Sequence, residues 1–442
     1  MLTSKVKESL NQKQISKLKF NTQKDCGLII INRVIILLLS TWMVWPYFNN
    51  KIGIIPIFVI IVLWVITTDY RWLFEKWTPD LLLICVWFIT FIPYVLTRNF
   101  TYGVIDPEYI LTCFFLFVFG IFVNHYYMFY KKDFVTLGRI AFISLFMYLV
   151  GSIQTYLGLQ KFPYASRTLA TANHSLQYSY LGMGIGGFGF VYSLVFVTIL
   201  SLYLLKKNIP RLGNMYKSLY ILFIICLLLT IIKASYATAL IFTFVGIILV
   251  FTIKGLRSLI IGVFLALIFI LAIPKESIAE FLVNVAYLFK DNDIVYVKFM
   301  DLAETFLGES ADSQTANRGH LYLTSLITFI QNPLFGIYGP FGNQDNGQIG
   351  GHSGWLDLLA MYGIFGSLPL FLAIILNFRK QLLFYSGHPY YVFLIIAQIL
   401  FICFGFLNPV TYVYQIGFAL FVVAPALPFL PYAFGRNFVN NK

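Results

Sequence analysis

Charged side chains are scarce in this chain. Asp, Glu, Lys and Arg make up 11% of its 442 residues and hydrophobic residues make up 59%, whereas roughly 25% of the residues of an ordinary soluble domain are charged. So few polar side chains cannot cover a soluble enzyme or the basic face of a nucleic-acid-binding domain. The composition therefore predicts an integral membrane protein without a nucleic-acid partner.

Cysteine is also rare, and several catalytic signatures are missing. The five cysteines include no CxxC pair and lie in or beside hydrophobic runs, so neither a disulfide framework nor a zinc site is predicted. The sequence has no Walker loop, GxSxG elbow or HExxH motif, which disfavours nucleotide-dependent chemistry. No metal or cofactor is predicted.

What the chain does have is hydrophobic runs long enough to cross a hydrocarbon layer of about 30 Å. Twelve are predicted, at 28–48, 52–68, 80–97, 109–130, 134–157, 180–205, 217–232, 235–253, 256–273, 353–377, 389–407 and 411–433. The fold class predicted is an all-α polytopic membrane protein of about 12 transmembrane helices, with one large extracytoplasmic loop that contains amphipathic helices.

Lysine and arginine indicate the orientation of these spans. If the N-terminus is cytoplasmic, most basic residues fall on the cytoplasmic side, including Lys131, Lys132, Lys206, Lys207 and Lys380, as the positive-inside rule requires. The predicted organisation is a basic cytoplasmic tail (1–27), spans one to nine (28–273), the large loop (274–352), spans ten to twelve (353–433) and a cytoplasmic tail (434–442). Both termini are expected in the cytoplasm.

The loop 274–352 is the one long non-membrane segment and is rich in acidic residues. Stretches 277–289 and 318–331 carry apolar residues at helical spacing, which is typical of helices lying on a membrane surface. The second stretch is expected to stop at Asn332 and Pro333. The glycine-rich segment 336–351 that follows cannot hold a helix, and it leads directly to His352.

His352 is the first candidate for chemistry, because it stands where the tenth span begins, with Ser353 as its N-cap. The positive end of a helix dipole favours a neutral imidazole and a bound anion, so a general base beside a diphosphate is one interpretation. A capping histidine at the membrane interface is the other. Asp357, in the first turn of the same span, is a second candidate, because an ionisable group inside a span is costly and is a functional suspect by default. The alternative is that it lies too near the helix start to be deeply buried and has no functional role.

Basic residues on the predicted outer face are candidates for holding an anion. Arg318 opens the second amphipathic stretch, and a guanidinium binds phosphate oxygens in pairs; an ion pair with Asp312 is the alternative. The shorter outer loop offers Arg167 and His174. Lys233, between spans seven and eight, is a third cation, with snorkelling to the interface as its alternative.

The sequence GHSGWLDLLAMYGIFG at 351–366, preceded by an arginine-led amphipathic stretch and NPLFGIYGPFG, resembles the O-antigen ligase and polymerase superfamily of the Wzy and WaaL type. The resemblance lies in His352, Leu356, Leu359, Gly363 and Gly366. It covers residues 316–368 in motif and the rest of the chain in the layout of spans. Such proteins have a GT-C-like arrangement of membrane helices.

The resemblance implies a glycosyltransferase of the bacterial cytoplasmic membrane. Its substrate would be an undecaprenyl-diphosphate-linked oligosaccharide, and a flippase and a chain-length regulator of the same pathway would be its partners, together with the lipid bilayer. Arg318 would bind diphosphate, His352 would activate the acceptor hydroxyl or organise the diphosphate, and Arg167 matches the family's arginine in the earlier outer loop.

The chain departs from the family at Tyr236, which follows Ser235 where members often carry an arginine. Either Lys233 supplies that charge or the contact is missing. A polysaccharide polymerase of the O-antigen or capsule type is the function favoured. The alternatives are a ligase that attaches glycan to a lipid or wall acceptor and, in a different class, a flippase of lipid-linked oligosaccharides.

Overall fold

The computed structural model describes residues 26–68, 71–72, 78–102, 115–169, 179–207, 214–253, 255, 257–258, 275–290, 296–297, 299–300, 303–304, 314–337, 349–410 and 413–434. Across these ranges the regular elements are helices. The first eight are α1 Cys26–Val44, α2 Pro46–Lys51, α3 Ile54–Thr67, α4 Pro79–Tyr102, α5 Leu116–Asn124, α6 Phe134–Lys161, α7 Ala165–Thr168 and α8 Phe188–Lys207. The remaining seven are α9 Asn214–Ala234, α10 Ala237–Thr252, α11 Lys275–Leu288, α12 Gln314–Gln331, α13 Gly354–Phe384, α14 Tyr391–Leu407 and α15 Tyr414–Phe418.

Two of these helices continue in other helical geometries. A π-helical turn, His125–Tyr130, extends α5. Helix α15 continues through the π-helical turn Ala419–Val423 and the short α-helical stretch Ala424–Ala426 to the 3₁₀ segment Leu427–Phe434. Helical backbone satisfies its own hydrogen bonds, which is the condition for crossing a lipid layer.

The chain is a helical multi-pass membrane protein. Within the described ranges six helices are long and apolar enough to cross a membrane: Gly27–Val44, Phe134–Lys161, Phe188–Lys207, Lys217–Ala234, Gly354–Phe384 and Tyr414–Ala433. Shorter apolar helices occupy five more of the predicted stretches. The predicted ninth span, 256–273, lies almost wholly outside the described residues, as do most of the N-terminal tail and the whole segment 435–442.

Contacts between helix ends define two ends of the bundle. At one end the indole Nε1 of Trp45, which follows α1, donates to Oε1 of Gln154 on α6 at 2.7 Å. At the other end of the same two helices Arg33 forms a 2.9 Å salt bridge with Asp133. The first end is called the His352 end below and the second the Asp80 end, after the residues that they hold.

A buried ion pair ties α13 to α4 at the Asp80 end. Nζ of Lys380 lies 3.3 Å from Oδ2 of Asp80 and 2.8 Å from Nδ1 of His125. The Asn377 amide also donates to Asp80, at 3.3 Å. A charged pair this far from water is held by its hydrogen-bond partners, so it fixes the position of α13 at the end opposite to His352.

The predicted tenth span is not a continuous helix. Gly363 has φ 60° and ψ −167° and breaks α13 into two helical pieces. Backbone angles of this kind are open essentially to glycine alone. The sequence predicts one uninterrupted span at 353–377, so the break at Gly363 is the main difference between the predicted and the observed helix.

Two helix boundaries can be compared with the ends of the predicted spans. The two hydrophobic runs around Lys233 are separate helices, as predicted, joined through Ser235, whose φ is 59°. The predicted sixth span starts too early: α8 begins at Phe188, because the glycines before it form a turn with Gly184 at φ 75°.

Candidate functional site

A buried carboxylate organises the loop that carries His352. Asp357 lies in the first turn of α13 and is 1% exposed. Its Oδ1 accepts hydrogen bonds from the Ser325 hydroxyl at 2.6 Å and from the Gly351 N–H at 3.3 Å. Its Oδ2 accepts from the Ser353 N–H at 3.0 Å. Three donors converge on one carboxylate, so the position of this side chain is fixed.

The Ser325 hydroxyl also accepts a hydrogen bond, from the Gly350 N–H at 2.8 Å. Gly350, Gly351 and Ser353 are therefore held in place by one two-residue clamp, Ser325 and Asp357. We call this the Ser325–Asp357 clamp. His352 is the one residue of 350–353 whose backbone N–H it does not bind.

The same loop is fixed on its other side to the end of α14. The Ser353 hydroxyl accepts from the Leu356 N–H at 3.3 Å, which makes it the N-cap of α13, as predicted. It also donates to the Gly405 carbonyl at 3.3 Å. The Gly354 N–H donates to the Asn408 carbonyl at 3.0 Å. His352 is thus presented from a backbone that is bound on both sides.

The His352 side chain is half-buried, and it is close enough to Asp357 to interact with it electrostatically. An imidazole in this position can exchange a proton with a bound molecule, because the residue is partly accessible and the backbone on either side of it is hydrogen-bonded. Rigid presentation is what positions a general acid or base.

Arg318 lies beside this loop along α12. Gly350 packs directly on the α12 backbone, since a Cβ added to it would lie 2.1 Å from the Leu321 carbonyl oxygen. Arg318 precedes Leu321 by three residues, or about 4.5 Å along a helix axis. The helix starts at Gln314, so Arg318 stands in its second turn instead of opening it. The side chain of Arg318 lies outside the described part of the structure.

The chain after α12 fills the break in α13. The Pro333 and Leu334 carbonyls accept from the N–H groups of Ile364 and Phe365 at 2.8 and 3.1 Å. In return, the Ile337 N–H donates to the Ala360 carbonyl at 3.0 Å. The backbone groups freed by the break are therefore paired with residues 333–337, which we call the inserted tip.

The second group of predicted residues forms around Tyr236. The Tyr236 hydroxyl donates to the Ser166 carbonyl at 2.6 Å, and the guanidinium carbon of Arg167 lies 6.0 Å from the centre of the Tyr236 ring. The Ser166 hydroxyl donates to the Gly186 carbonyl at 2.6 Å. Tyr236 thus fixes the short helix α7, and with it the backbone of Arg167.

Aromatic packing connects this group with the His352 loop. The Tyr236 ring lies 5.5 Å from that of Tyr192, which lies 4.3 Å from that of Phe404 on α14. The next residue, Gly405, is the one that binds Ser353. The structure therefore brings Arg167, Tyr236, Asp357 and His352 to one end of the bundle.

Two predicted residues are less defined. Lys233 is half-buried in the last turn of α9, at the same end of the bundle. His174 falls outside the described residues. Whether Lys233 replaces the family's arginine therefore stays a prediction.

Sequence reasoning missed Ser325 and the inserted tip. Ser325 is a serine within an amphipathic stretch, and its partner Asp357 is 32 residues away, so local pattern gives no signal. For the inserted tip, the glycines Gly336 and Gly363 are the signal in the sequence that could have indicated it. Both have positive φ, and a Cβ on either would clash with the other's segment: Gly336 with Met361 and Gly363 with Leu334.

These features define a class, a multi-pass helical membrane protein with a polar, histidine-bearing loop held at one end of the bundle. A scan against protein-family models and a search of curated proteins both find no match to the chain.

Proposed function

We propose that the protein is a polymerase that joins undecaprenyl-diphosphate-linked oligosaccharide repeat units into a surface polysaccharide. The observation that supports this most is that an imidazole and an arginine lie at one end of the bundle. His352 lies on its clamped loop, and the guanidinium carbon of Arg167 lies 6.0 Å from the centre of the Tyr236 ring. Glycosyl transfer from a lipid diphosphate requires a base for the acceptor hydroxyl and cations for the leaving diphosphate.

In the proposed reaction an acceptor hydroxyl oxygen attacks the anomeric carbon of the donor. The carbon–oxygen bond to the diphosphate breaks, and undecaprenyl diphosphate leaves. His352 takes the hydroxyl proton or orients the diphosphate, while Arg318 and Arg167 neutralise its growing charge. Asp357 acts by holding the loop and makes no contact with substrate.

The proposed topology has twelve spans, both termini in the cytoplasm and the His352 end on the outer face of a bacterial cytoplasmic membrane. The basic residues near the Asp80 end support this orientation: Arg33, Lys131, Lys206 and Lys380 all lie toward it. The lipid-linked substrate would reach the site from the outer leaflet.

A gene deletion complemented with His352→Ala tests the proposal. A polymerase defect leaves single repeat units on the final acceptor. Long chains that stay on undecaprenyl lipid would indicate a ligase, and lipid-linked units trapped on the inner leaflet would indicate a flippase. His388→Ala is the matched control, since His388 lies in the turn between α13 and α14 at the Asp80 end, and it is expected to complement fully.

A further inference from the structure

Helix α12 is amphipathic, but its polar side chains face the protein and its apolar side chains face outward, the reverse of a helix on the surface of a soluble protein. Its polar residues Ser325 and Thr328 are 0% and 5% exposed and face the protein. Its apolar residues face outward: Leu323 is 55% exposed, Ile327 51% and Ile330 65%. An outward apolar face is stable only against an apolar partner.

The exposed apolar face continues beyond α12 onto the inserted tip and α13. Leu334 and Phe335 are 52% and 60% exposed, and Phe335 stacks on Phe365 with 5.5 Å between ring centres. On α13 the exposed residues Phe365, Leu368 and Ile375 carry the same surface along a helix long enough to span a membrane. One apolar surface thus runs from α12 across the tip to a candidate span.

The first helical piece of α13 gives the depth of the tip. It runs from Gly354 to Tyr362, nine residues or roughly 14 Å along its axis. The break at Gly363 and the inserted tip therefore lie below the start of a candidate span by nearly half of the roughly 30 Å of a hydrocarbon layer.

Backbone hydrogen bonding agrees with that depth. Irregular backbone occurs at membrane depth only where it is buried against protein or lines a water-filled cavity. The carbonyls of Pro333 and Leu334 and the N–H groups of Gly336 and Ile337 all have partners, on α13 or at Asn332.

We propose that α12 and the inserted tip form a re-entrant segment, whose outward face is covered by lipid acyl chains of the leaflet at the His352 end. This proposal differs from the expectation that 318–331 lies on the membrane surface as part of a large external loop. The acyl chains are identified as the occupant because the surface is continuous with that of α13. The inference does not depend on the proposed transferase activity.

Spin-label accessibility tests it on the full chain. The five cysteines are replaced by alanine, and single cysteines are introduced as Ile330→Cys and Phe335→Cys. Ile375→Cys on α13 is the lipid-facing control. His320→Cys is the water-facing control, because His320 is exposed on the first half of α12. Each variant is labelled with a nitroxide and reconstituted into phosphatidylethanolamine–phosphatidylglycerol vesicles.

Labels at 330 and 335 are expected to behave like the label at 375: they collide freely with oxygen and are shielded from a water-soluble nickel chelate. The label at 320 is expected to collide with the chelate. Chelate accessibility at 330 and 335 equal to that at 320 would overturn the proposal. Shielding from both reagents would overturn it too, because it would mean that protein covers the surface. Ile327→Cys replaces either variant that fails to fold.

Discussion

The Ser325 hydroxyl donates a 2.6 Å hydrogen bond to Oδ1 of Asp357 and thereby joins α12 to α13. The same hydroxyl accepts from the Gly350 N–H. One serine thus connects the helix that carries Arg318, the loop that carries His352 and the carboxylate that accepts hydrogen bonds from that loop. If the site works as proposed, residues that never touch substrate control its activity.

Asp357→Asn is expected to destabilise the protein and to abolish most polymer formation. An amide NH₂ in place of one carboxylate oxygen would face a backbone N–H of Gly351 or Ser353, so a donor would oppose a donor. The loss of hydrogen bonds at this buried site costs about 1–3 kcal/mol of unfolding free energy. Thermal unfolding in detergent measures it. Glu276→Gln, at an exposed position on α11, is the control and is expected to unfold like the wild type.

Ser325→Ala is expected to lower stability by about 1–3 kcal/mol, because it leaves the buried Gly350 N–H without its acceptor and Asp357 without one donor. Thr324→Ala, which removes a hydroxyl bound only to the His320 carbonyl of its own helix, is the neighbouring control. Equal melting temperatures for the two variants would show that the Ser325–Asp357 clamp does not hold the loop.

Gly363→Ala is expected to be among the most damaging single-methyl changes in the chain. The φ of 60° strains any L side chain, at a cost of about 1–3 kcal/mol, and the added Cβ would lie 2.4 Å from the Leu334 carbonyl group. Gly319→Ala on α12 meets nothing within 4 Å and should be neutral or slightly stabilising. Yield and melting temperature in detergent distinguish them. Wild-type behaviour of Gly363→Ala would mean that α13 is not broken there.

Tyr236→Phe removes one hydroxyl and keeps the ring. The lost hydrogen bond to the Ser166 carbonyl is worth about 1 kcal/mol, and the backbone of Arg167 loses a fixed neighbour. Polymer length, read on gels from complemented cells, is expected to fall while the protein still folds. The control is Tyr164→Phe, which changes an exposed residue directly before α7 and should leave polymer length unchanged. Full activity of Tyr236→Phe would contradict a role for this tyrosine in positioning Arg167.

Much of the helical framework could be predicted from sequence, because a run of Leu, Ile and Phe about 20 residues long is a local property. Ser353 as the N-cap of α13 was likewise predictable from its place before an apolar helix. The break at Gly363 was not, since it is stable only when 333–337 supplies its hydrogen bonds. The contact between Tyr236 and Ser166 was not predictable either, because these residues are 70 positions apart and are brought together by tertiary packing.

The orientation of α12 is a second feature that could not be predicted from the sequence. A hydrophobic face read from sequence does not reveal whether it turns toward protein or lipid. In the structure Ser325 and Thr328 lie on the protein side of α12, so its apolar side chains Leu323, Ile327 and Ile330 point outward.

The most direct test of the central claim is turnover by the purified protein in lipid vesicles, with a defined undecaprenyl-diphosphate-linked repeat unit as both donor and acceptor. The wild type is expected to release undecaprenyl diphosphate and to form dimers and longer chains. His352→Ala should form essentially none while melting at the wild-type temperature, and His388→Ala should retain full turnover. Wild-type rates for His352→Ala would contradict the account.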